Sequence, residues 1–205
     1  MSRAHWIYDP DYKHYRNFAQ SGTVFVTTTI LDFTPALADT AAADLMTASL
    51  FDDCAHYGAT LWAFVVMATH VHFLADLPSG VDSSDFVERV KSNSGRRLLR
   101  VVTPVVQRAL SVQQGLGRRT FWQRGFRSVP IVDRDAFATK VRYIDNNPVD
   151  AGLCNEPTGY RWSSAWLVEA GFASWERGVV LPEELLRQFA SEEALSLARK
   201  SRRKE

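Results

Sequence analysis

Two histidines lie one residue apart in a strongly apolar run, at His70 and His72, with Val71 between them. Side chains of a β-strand alternate between the two faces of a sheet, so both imidazoles are expected on the same face. Two neutral imidazoles side by side form half of a divalent-metal site. Taken alone, such a pair is more often two ordinary polar residues on a solvated sheet face, because short motifs match by chance.

A tyrosine and an asparagine later in the chain share one side of a predicted helix. Asp133 is expected to cap a helix that runs from Arg134 to about Asn147, where Pro148 stops it. Tyr143 and Asn147 are four residues apart, so both project from the same side, where a phenol and an amide suit metal-assisted phosphotransfer. By itself, Tyr143 is more typical of an amphipathic packing residue. The buried stripe of this helix is predicted to be Phe137, Val141 and Ile144.

A block of single charge occupies the middle of the chain. Positions 91 to 132 hold nine basic residues and no acidic one, which leaves 15 of the 24 basic residues against 23 acidic residues elsewhere. The net charge of +1 therefore hides a segment suited to binding phosphates, for which the alternative is a helix with a solvated basic face. The nine residues are Lys91, Arg96, Arg97, Arg100, Arg108, Arg118, Arg119, Arg124 and Arg127.

Aromatic and basic residues are interleaved at the end of this block, over Thr120–Arg127. Such a pattern suits unpaired bases stacked on aromatic rings beside phosphates. It equally suits an ordinary loop whose aromatic side chains turn into the core. The pattern does not decide between the two for Trp122.

Composition bounds the class of protein. A chain of 205 residues that is 46% hydrophobic can bury a sizeable core in one domain with an appendage. Its two cysteines, Cys54 and Cys154, are too few for a disulfide framework or a zinc site and favour a reducing compartment. The strongest apolar run, Leu61–Ala68, is too short to span a bilayer, and the first residues lack a signal-peptide core. We expect a soluble cytoplasmic protein.

The rest of the chain alternates strand and helix patterns. A β-branched run predicts a first strand, and the Ala-rich segment after it predicts a helix that Gly58 ends. The runs on either side of Ala68 and Thr69 predict a tight hairpin or one long bent strand. Ser83 or Ser84 is expected to cap the next helix, which Ser92–Gly95 could interrupt. The predicted strands cover 23–31, 60–68, about 69–77 and an edge strand over 128–132, and the first helix covers 37–57.

This order predicts an α+β fold in which helices pack on a ferredoxin-like antiparallel sheet. We divide the chain into an N-terminal arm over residues 1–19, a main domain over residues 20–168, and a C-terminal extension over residues 169–205. The extension is expected to hold an amphipathic helix and a basic tail.

Four short segments follow one another in a specific order along the chain. They are His70–His72, Phe121–Phe126, Tyr143–Leu153 and Tyr160–Ala165. Together they resemble the REP-associated tyrosine transposases, a domesticated branch of the single-tyrosine HUH transposases. The resemblance covers roughly residues 20–168 and is far more specific than any one of its motifs.

The resemblance implies metal-dependent cleavage and rejoining of single-stranded DNA through a covalent 5′-phosphotyrosine. It implies that Tyr143 is the nucleophile and that His70, His72 and Asn147 hold Mg²⁺ or Mn²⁺. The family's substrates are short palindromic repeats folded as hairpins. Transposon-borne relatives act as dimers that share active sites and REP-associated ones can be monomers, so we expect a monomer or a homodimer, bound to the bacterial nucleoid when it holds DNA.

The basic block, the aromatic patch and the basic tail are expected to hold the hairpin DNA. The predicted DNA contacts are Lys91, Arg96, Arg97, Arg100, Arg118, Arg119, Trp122, Arg124 and Arg127.

The chain departs from the family pattern at two places. Relatives often have Met-Pro-Asn before the first histidine, where this chain has Met67-Ala68-Thr69. Many have an Asp-His pair shortly after the Trp-Gln-Arg-Gly segment, where this chain has Arg127-Ser128-Val129. The ligand pair is unaffected by the first change, whereas the second removes any role of that extra histidine.

Two other functions remain open. The chain could be a non-catalytic, domesticated protein that binds hairpin DNA on the same fold, in which case metal and Tyr143 would be irrelevant to affinity. It could also be a metal-dependent phosphoesterase that uses the histidine pair without a tyrosine intermediate, in which case Tyr143→Phe would keep activity.

Overall fold

The computed structural model describes residues 22–112, 120–171, 173–174 and 178–179. Strands and helices alternate along the chain as expected of an α+β fold, and no helix in these ranges is long and apolar enough to cross a membrane. The elements are β1 (Gly22–Thr29), α1 (Thr40–Tyr57), β2 (Thr60–Val66), β3 (His70–Leu77), α2 (Ser83–Val101), α3 (Pro104–Val112), β4 (Arg127–Pro130), α4 (Arg134–Asp150), α5 (Ser164–Glu169), β5 (Ala173–Ser174) and β6 (Gly178–Val179).

The main sheet has four strands in the order β2-β3-β1-β4, and every adjacent pair is antiparallel. This confirms the ferredoxin-like arrangement predicted from the sequence. β2 and β3 form a hairpin, whose short connection is closed by a 2.8 Å hydrogen bond from Met67 N to His70 O. β4 lies at the edge of the sheet. Pro130 is tolerated there because one side of an edge strand is unpaired, so the missing N–H of proline need not cost a hydrogen bond between strands.

The two faces of the sheet carry different helices. α1 and α2 cover one face and pack against alternate strand residues such as Val24 and Val26. α4 covers the other face, where Ile144 packs with Phe25 and Leu74. Because side chains alternate along a strand, the even-numbered residues of β3 point toward α4.

Capping residues set both ends of α1 and the start of α2. Asp39 accepts a 3.1 Å hydrogen bond from Ala42 N, so α1 begins at Thr40 rather than at the predicted Leu37. Gly58 ends α1 as predicted, in the left-handed conformation at φ 64°. Asp82, not Ser83 or Ser84, caps α2 by accepting a 2.8 Å hydrogen bond from Ser84 N.

α2 runs without a break through Ser92–Gly95, although the sequence had allowed an interruption there. The small residues are there because α2 receives the indole of Trp122. Ser94 Oγ donates to Val90 O at 2.6 Å and accepts a 3.1 Å hydrogen bond from Trp122 Nε1. A Cβ on Gly95 would lie 3.2 Å from Cδ1 of the same indole.

α4 begins and packs as its sequence predicts. Asp133 caps the helix by accepting a 2.7 Å hydrogen bond from Ala136 N. Ile144 is fully buried, and Phe137 and Val141 pack beside it against the sheet. This stripe fixes the rotation of α4 about its own axis and therefore decides which side chains it turns toward β3.

The predicted end of α4 was wrong by about one turn. The helix continues through Pro148 to Asp150. A proline in the last turn removes a single intrahelical hydrogen bond, and its buried ring replaces some of the lost stability by packing. Ala151 N–H then bonds to Asn147 O at 3.0 Å and closes the helix.

Several predicted features lie outside the described residues. They are the arm over residues 1–19, the helix and basic tail of the C-terminal extension, and Arg118 and Arg119. Within the extension, β5 and β6 pair antiparallel, and Val179 of β6 is buried in the core between the sheet and α1 and α2.

Candidate functional site

His70 and His72 lie on the face of β3 that α4 covers. Their ring centroids are 4.7 Å apart, which confirms that both imidazoles leave the same face. This face is not solvated, because His72 is only 4% exposed. The pair therefore belongs to an interface between the sheet and a helix, and the interpretation as surface polar residues does not hold.

Two threonine hydroxyls fix the histidine rings. Thr27 lies directly opposite His72 in the β1–β3 register, and its Oγ1 is 2.8 Å from Nδ1 of that ring. Thr69 Oγ1 is 2.9 Å from Nδ1 of His70. With each Nδ1 engaged by a hydroxyl, Nε2 is the nitrogen left to bind a metal, which is the usual outer-shell arrangement for histidine ligands. Neither threonine was predicted, because no local pattern in the sequence marks them.

α4 brings Tyr143 and Asn147 to the histidines. The phenolic oxygen of Tyr143 lies 3.3 Å from Nε2 of His72, and the two rings pack edge to face at 5.1 Å. Asn147, one turn later, lines the same cavity as the histidines and Tyr143, and its amide raises the pKa of His70 and lowers that of Tyr143. The four residues predicted to do chemistry from the sequence thus meet in one place, and all of them come from a single chain.

These four side chains line a common cavity of about 340 Å³. A water molecule takes up roughly 30 Å³ of liquid, so there is room for a cation and a phosphodiester group. Asp150, from the unpredicted last turn of α4, also lines the cavity. The remaining lining residues are Thr27, Thr29, Phe33, Met67 and Ala151.

Burial keeps both histidines neutral at physiological pH. It lowers the pKa of His70 to about 4, an effect that Asn147 partly offsets by accepting a hydrogen bond from the protonated ring. Burial also lowers the pKa of His72 well below its ordinary value, and the charges of His70, Lys140 and Arg127 lower it further. Only the neutral imidazole binds a metal, so the protein holds the pair in its ligand form.

Tyr143 is a weak nucleophile in this environment. Burial raises the pKa of its phenol, while the hydrogen bond from Asn147 and the charge of Arg127 act in the opposite direction. The phenolate is the reactive form, so a nearby cation is needed to stabilise it.

The donor set fits a divalent cation. Within the described residues no three histidine, cysteine, aspartate or glutamate side chains form a cluster that could hold a metal. The amide of Asn147 lines the same cavity as the two imidazoles and would supply an oxygen donor beside them. Imidazole nitrogen suits Mn²⁺ better than Mg²⁺, which prefers an all-oxygen shell. His70, His72 and Asn147 would hold the ion.

Two of the predicted DNA contacts stand at the site. Arg124 and Arg127 line a second cavity of about 180 Å³, which shares His72 and Tyr143 with the first. Lys140, one turn before Tyr143 on α4, completes the cationic lining and was not predicted. Its signal in the sequence was its spacing of three residues from the tyrosine, which places both on one side of the helix.

Two other predicted DNA contacts belong to the core instead. Trp122 is 6% exposed and donates its indole N–H to Ser94, so no base can stack on it in this conformation. Lys91 is also 6% exposed, and its Nζ donates to Gly125 O at 2.8 Å and lies 3.3 Å from Glu88. Both side chains form hydrogen bonds that hold the 121–126 loop against α2.

The arginines of α2 lie in the helical layer on the opposite face of the sheet from Tyr143. Arg97 forms a 3.0 Å ion pair with Asp52 of α1, and Arg96 donates to Asn93 at 2.7 Å. Together with Arg100, they line a shallow groove that also holds acidic side chains. Any DNA contact that they make remains a prediction and lies away from the histidine pair.

The fourth family-like segment, Tyr160–Ala165, secures the edge strand β2. Tyr160 donates its hydroxyl to Val66 O at 2.8 Å, and Trp162 donates its indole N–H to Asp44 at 2.7 Å. Ser164 Oγ accepts from Phe64 N at 3.1 Å and lies 3.3 Å from Oδ1 of Asp145 on α4. The segment therefore holds α1, β2 and α4 in register.

Comparison with solved structures finds proteins with a similar chain fold. A solved structure of a REP-associated tyrosine transposase bound to a REP hairpin matches with a TM-score of 0.57 at 22% identity, over 82% of this chain and 93% of that one. The structure of a candidate transposase from Deinococcus radiodurans R1 matches with a TM-score of 0.44 at 22% identity, over 64% of this chain and 94% of that one. No curated protein matches the chain.

The family comparison covers the segment that builds the site. The family model described as "Transposase IS200 like" matches residues 37–147, which is more than half of the chain. That range contains the histidine pair, Tyr143 and Asn147. The chain belongs to the IS200-like family of single-tyrosine transposases.

Proposed function

We propose that this protein cleaves and rejoins single-stranded DNA through a covalent bond between Tyr143 and a 5′-phosphate. The observation that carries the proposal is the convergence of four side chains on one cavity. The phenolic oxygen of Tyr143 is 3.3 Å from Nε2 of His72, and His70 and Asn147 line the same cavity. A core packing role would not require a buried polar cluster of this composition.

The chemical step is a phosphodiester exchange. The phenolic oxygen of Tyr143 forms a bond to phosphorus, the bond from phosphorus to the 3′ oxygen breaks, and the proton of the phenol is gained by that leaving oxygen. The bond energy stays in the phosphotyrosine, so rejoining is the same exchange in reverse and needs no nucleotide. A divalent cation bound by the histidines and Asn147 would polarise the scissile phosphate and neutralise its developing charge.

The protein's own residues supply position and charge. α4 holds Tyr143 against the sheet through Ile144, so that the phenol faces the cavity. Arg127 lowers the pKa of the phenol and thereby opposes the effect of burial. Because every member of the cluster belongs to one chain, a monomer could form the complete site; a homodimer remains the alternative.

We infer that the substrate is a short palindromic repeat folded as a hairpin with single-stranded flanks. The family and the similarity of the fold to a protein solved with a REP hairpin support this substrate. A hairpin presents its phosphates and its exposed flanking bases at the same time. Arg124 and Arg127 line the second cavity with Tyr143, and we expect them to bind the phosphates of a flank there.

A covalent-adduct assay tests the proposal. The protein is mixed with a labelled hairpin oligonucleotide from repeats that flank its own gene, with Mn²⁺ or Mg²⁺, and run on a denaturing gel. We expect a protein–DNA band that vanishes with EDTA and in Tyr143→Phe. Tyr57→Phe removes the same atom from α1, in the helical layer on the other face of the sheet, and should keep the band.

The other outcomes separate the alternatives. Tight binding without an adduct would support a domesticated DNA-binding protein. Metal-dependent cleavage that persists in Tyr143→Phe would support a phosphoesterase that uses the histidine pair alone.

A further inference from the structure

The second cavity at the site has a basic lining. It lies on the β4 side of His72 and Tyr143, between the 123–127 loop and α4. Three of its lining residues are basic and none is acidic. The lining residues are Phe25, Thr27, Thr29, His72, Gln123, Arg124, Gly125, Phe126, Arg127, Lys140 and Tyr143.

Two aromatic rings hold the ammonium group of Lys140 in this cavity. Its Nζ lies 4.7 Å from the ring centroid of Phe25 and 5.8 Å from that of Tyr143. Among the residues that the structure describes, no carboxylate forms an ion pair with it. Burial and the charge of Arg127 lower its pKa, which reflects an environment that disfavours the cation when no anion is present.

Grouped cations in a partly buried cavity cost free energy that an anion offsets. The anion that suits lysine and arginine side chains is a phosphate or phosphodiester group. The position of the cavity favours a phosphodiester group of DNA over free phosphate, because the cavity adjoins the phenol of Tyr143 on the side away from His70 and Asn147. A DNA strand whose scissile phosphate lies at Tyr143 would place a neighbouring phosphate there.

We propose that Lys140 and Arg127 form a binding site for the phosphate adjacent to the scissile one, so that two successive phosphates of the strand are held on either side of Tyr143. This inference rests on the proposed DNA-cleaving function and adds a subsite to it. Lys140 acts here as a substrate-binding residue.

Equilibrium binding in a variant that cannot react tests the subsite separately from the chemistry. In a Tyr143→Phe background with EDTA, the affinity for the labelled hairpin is measured by fluorescence anisotropy at several salt concentrations. We expect Lys140→Gln to weaken binding roughly five- to twentyfold and to reduce the salt slope by about 1, as the loss of one phosphate contact does. Lys140→Arg should restore the slope, which also shows that the site still folds.

Arg142→Gln provides the matched control. Arg142 lies on the same helix, is exposed and donates to Thr139 of that helix at 3.4 Å. Its neutralisation should change affinity less than twofold. If Lys140→Gln and Arg142→Gln behaved alike, the subsite would be disproved, whatever the adduct assay had shown.

Oligonucleotides with one uncharged linkage in the DNA backbone identify which phosphate Lys140 binds. Oligonucleotides with a single methylphosphonate at each position around the cleavage site are compared in the Lys140 and Lys140→Gln proteins. We expect one linkage next to the scissile phosphate at which the methylphosphonate removes the difference between the two proteins. A difference that persists at every linkage would mean that Lys140 binds no particular phosphate of the strand and would overturn the proposal.

Discussion

The phenolic oxygen of Tyr143 and Nε2 of His72 are 3.3 Å apart, while Nδ1 of the same imidazole is 2.8 Å from Oγ1 of Thr27. The imidazole is therefore held between a hydroxyl from the neighbouring strand and the proposed nucleophile. Since Thr27 occupies Nδ1, the ring can offer only Nε2 to a metal, on the side where Tyr143 lies. One ring thus ties the position of the proposed metal to that of the nucleophile.

Thr27→Val should weaken metal binding. The substitution keeps the β-branched shape but removes the hydroxyl that fixes the tautomer and rotation of His72. Loss of such an outer-shell partner typically lowers metal affinity by 10- to 100-fold. We expect a decrease of this order for Mn²⁺, measured by titration calorimetry on the DNA-free protein, with the His70→Ala variant as the reference for binding elsewhere.

The adjacent Thr28→Val is the control for this change. Thr28 is 1% exposed on the opposite face of β1, and its Oγ1 has no hydrogen-bond partner among the described residues. Removing that buried hydroxyl should leave the Mn²⁺ affinity unchanged and raise stability slightly. Equal Mn²⁺ affinities for Thr27→Val and the wild type would contradict a role of Thr27 in orienting His72.

Metal affinity should be nearly independent of pH between 8 and 6. Protons compete with a metal only below the pKa of the ligand, and burial lowers the pKa of His70 to about 4 and that of His72 well below its ordinary value. Exposed histidines with a pKa near 6.5 would lose affinity severalfold over the same range. Calorimetric titration with Mn²⁺ at pH 8, 7, 6 and 5 distinguishes the two, and a midpoint near pH 6.5 would show that the pair is solvated.

The side chains that do chemistry could be predicted where a single element decides their direction. His70 and His72 share a face because a strand repeats every two residues, and Tyr143 and Asn147 share a side because a helix repeats every 3.6. Thr27 could not be found this way, and the spacing of Lys140 from Tyr143 indicates its side of the helix but not what it contacts. Their contacts with His72 and Phe25 depend on the β1–β3 register and on how α4 lies across the sheet, which no local pattern specifies.

The aromatic and basic patch over Thr120–Arg127 is a second case in which the sequence pattern does not determine where the side chains point. Its pattern is the same whether the aromatic rings face solvent or the core, and tertiary packing decides. Trp122 is buried because Ser94 and Gly95 of α2 leave room for its indole, whereas Arg124 in the same loop is exposed at the second cavity.

Trp122→Phe should therefore lower stability without changing DNA affinity. The change removes the indole N–H that bonds to Ser94 and leaves part of the indole volume empty. A lost hydrogen bond and a partial void together cost about 1–3 kcal/mol. Urea unfolding should show this loss, while hairpin affinity in the folded protein stays within twofold. Arg124→Gln should give the reverse result, and a large loss of affinity in Trp122→Phe would instead indicate base stacking.

Asp145→Asn should stabilise the protein above neutral pH. Burial raises the pKa of Asp145 from 3.8 to about 6, an effect that its hydrogen bond with Ser164 only partly offsets. The folded state therefore binds the proton more tightly than the unfolded state does. The resulting stability is fully present below pH 3.8 and is lost as the pH rises through 6.

At pH 8 the buried carboxylate costs at most about 3 kcal/mol, since each unit of pKa shift corresponds to about 1.4 kcal/mol. Asparagine keeps an oxygen for Ser164 but carries no charge, so the variant avoids this cost. We expect its gain in unfolding free energy to be about 1 kcal/mol larger at pH 8 than at pH 5, measured by urea denaturation. Glu156→Gln makes the same carboxyl-to-amide change at an exposed site and sets the background. A gain that is equal at both pH values would show that Asp145 is ionised in the folded protein throughout this range. Protonation of Asp145 would then contribute nothing to stability between pH 5 and 8.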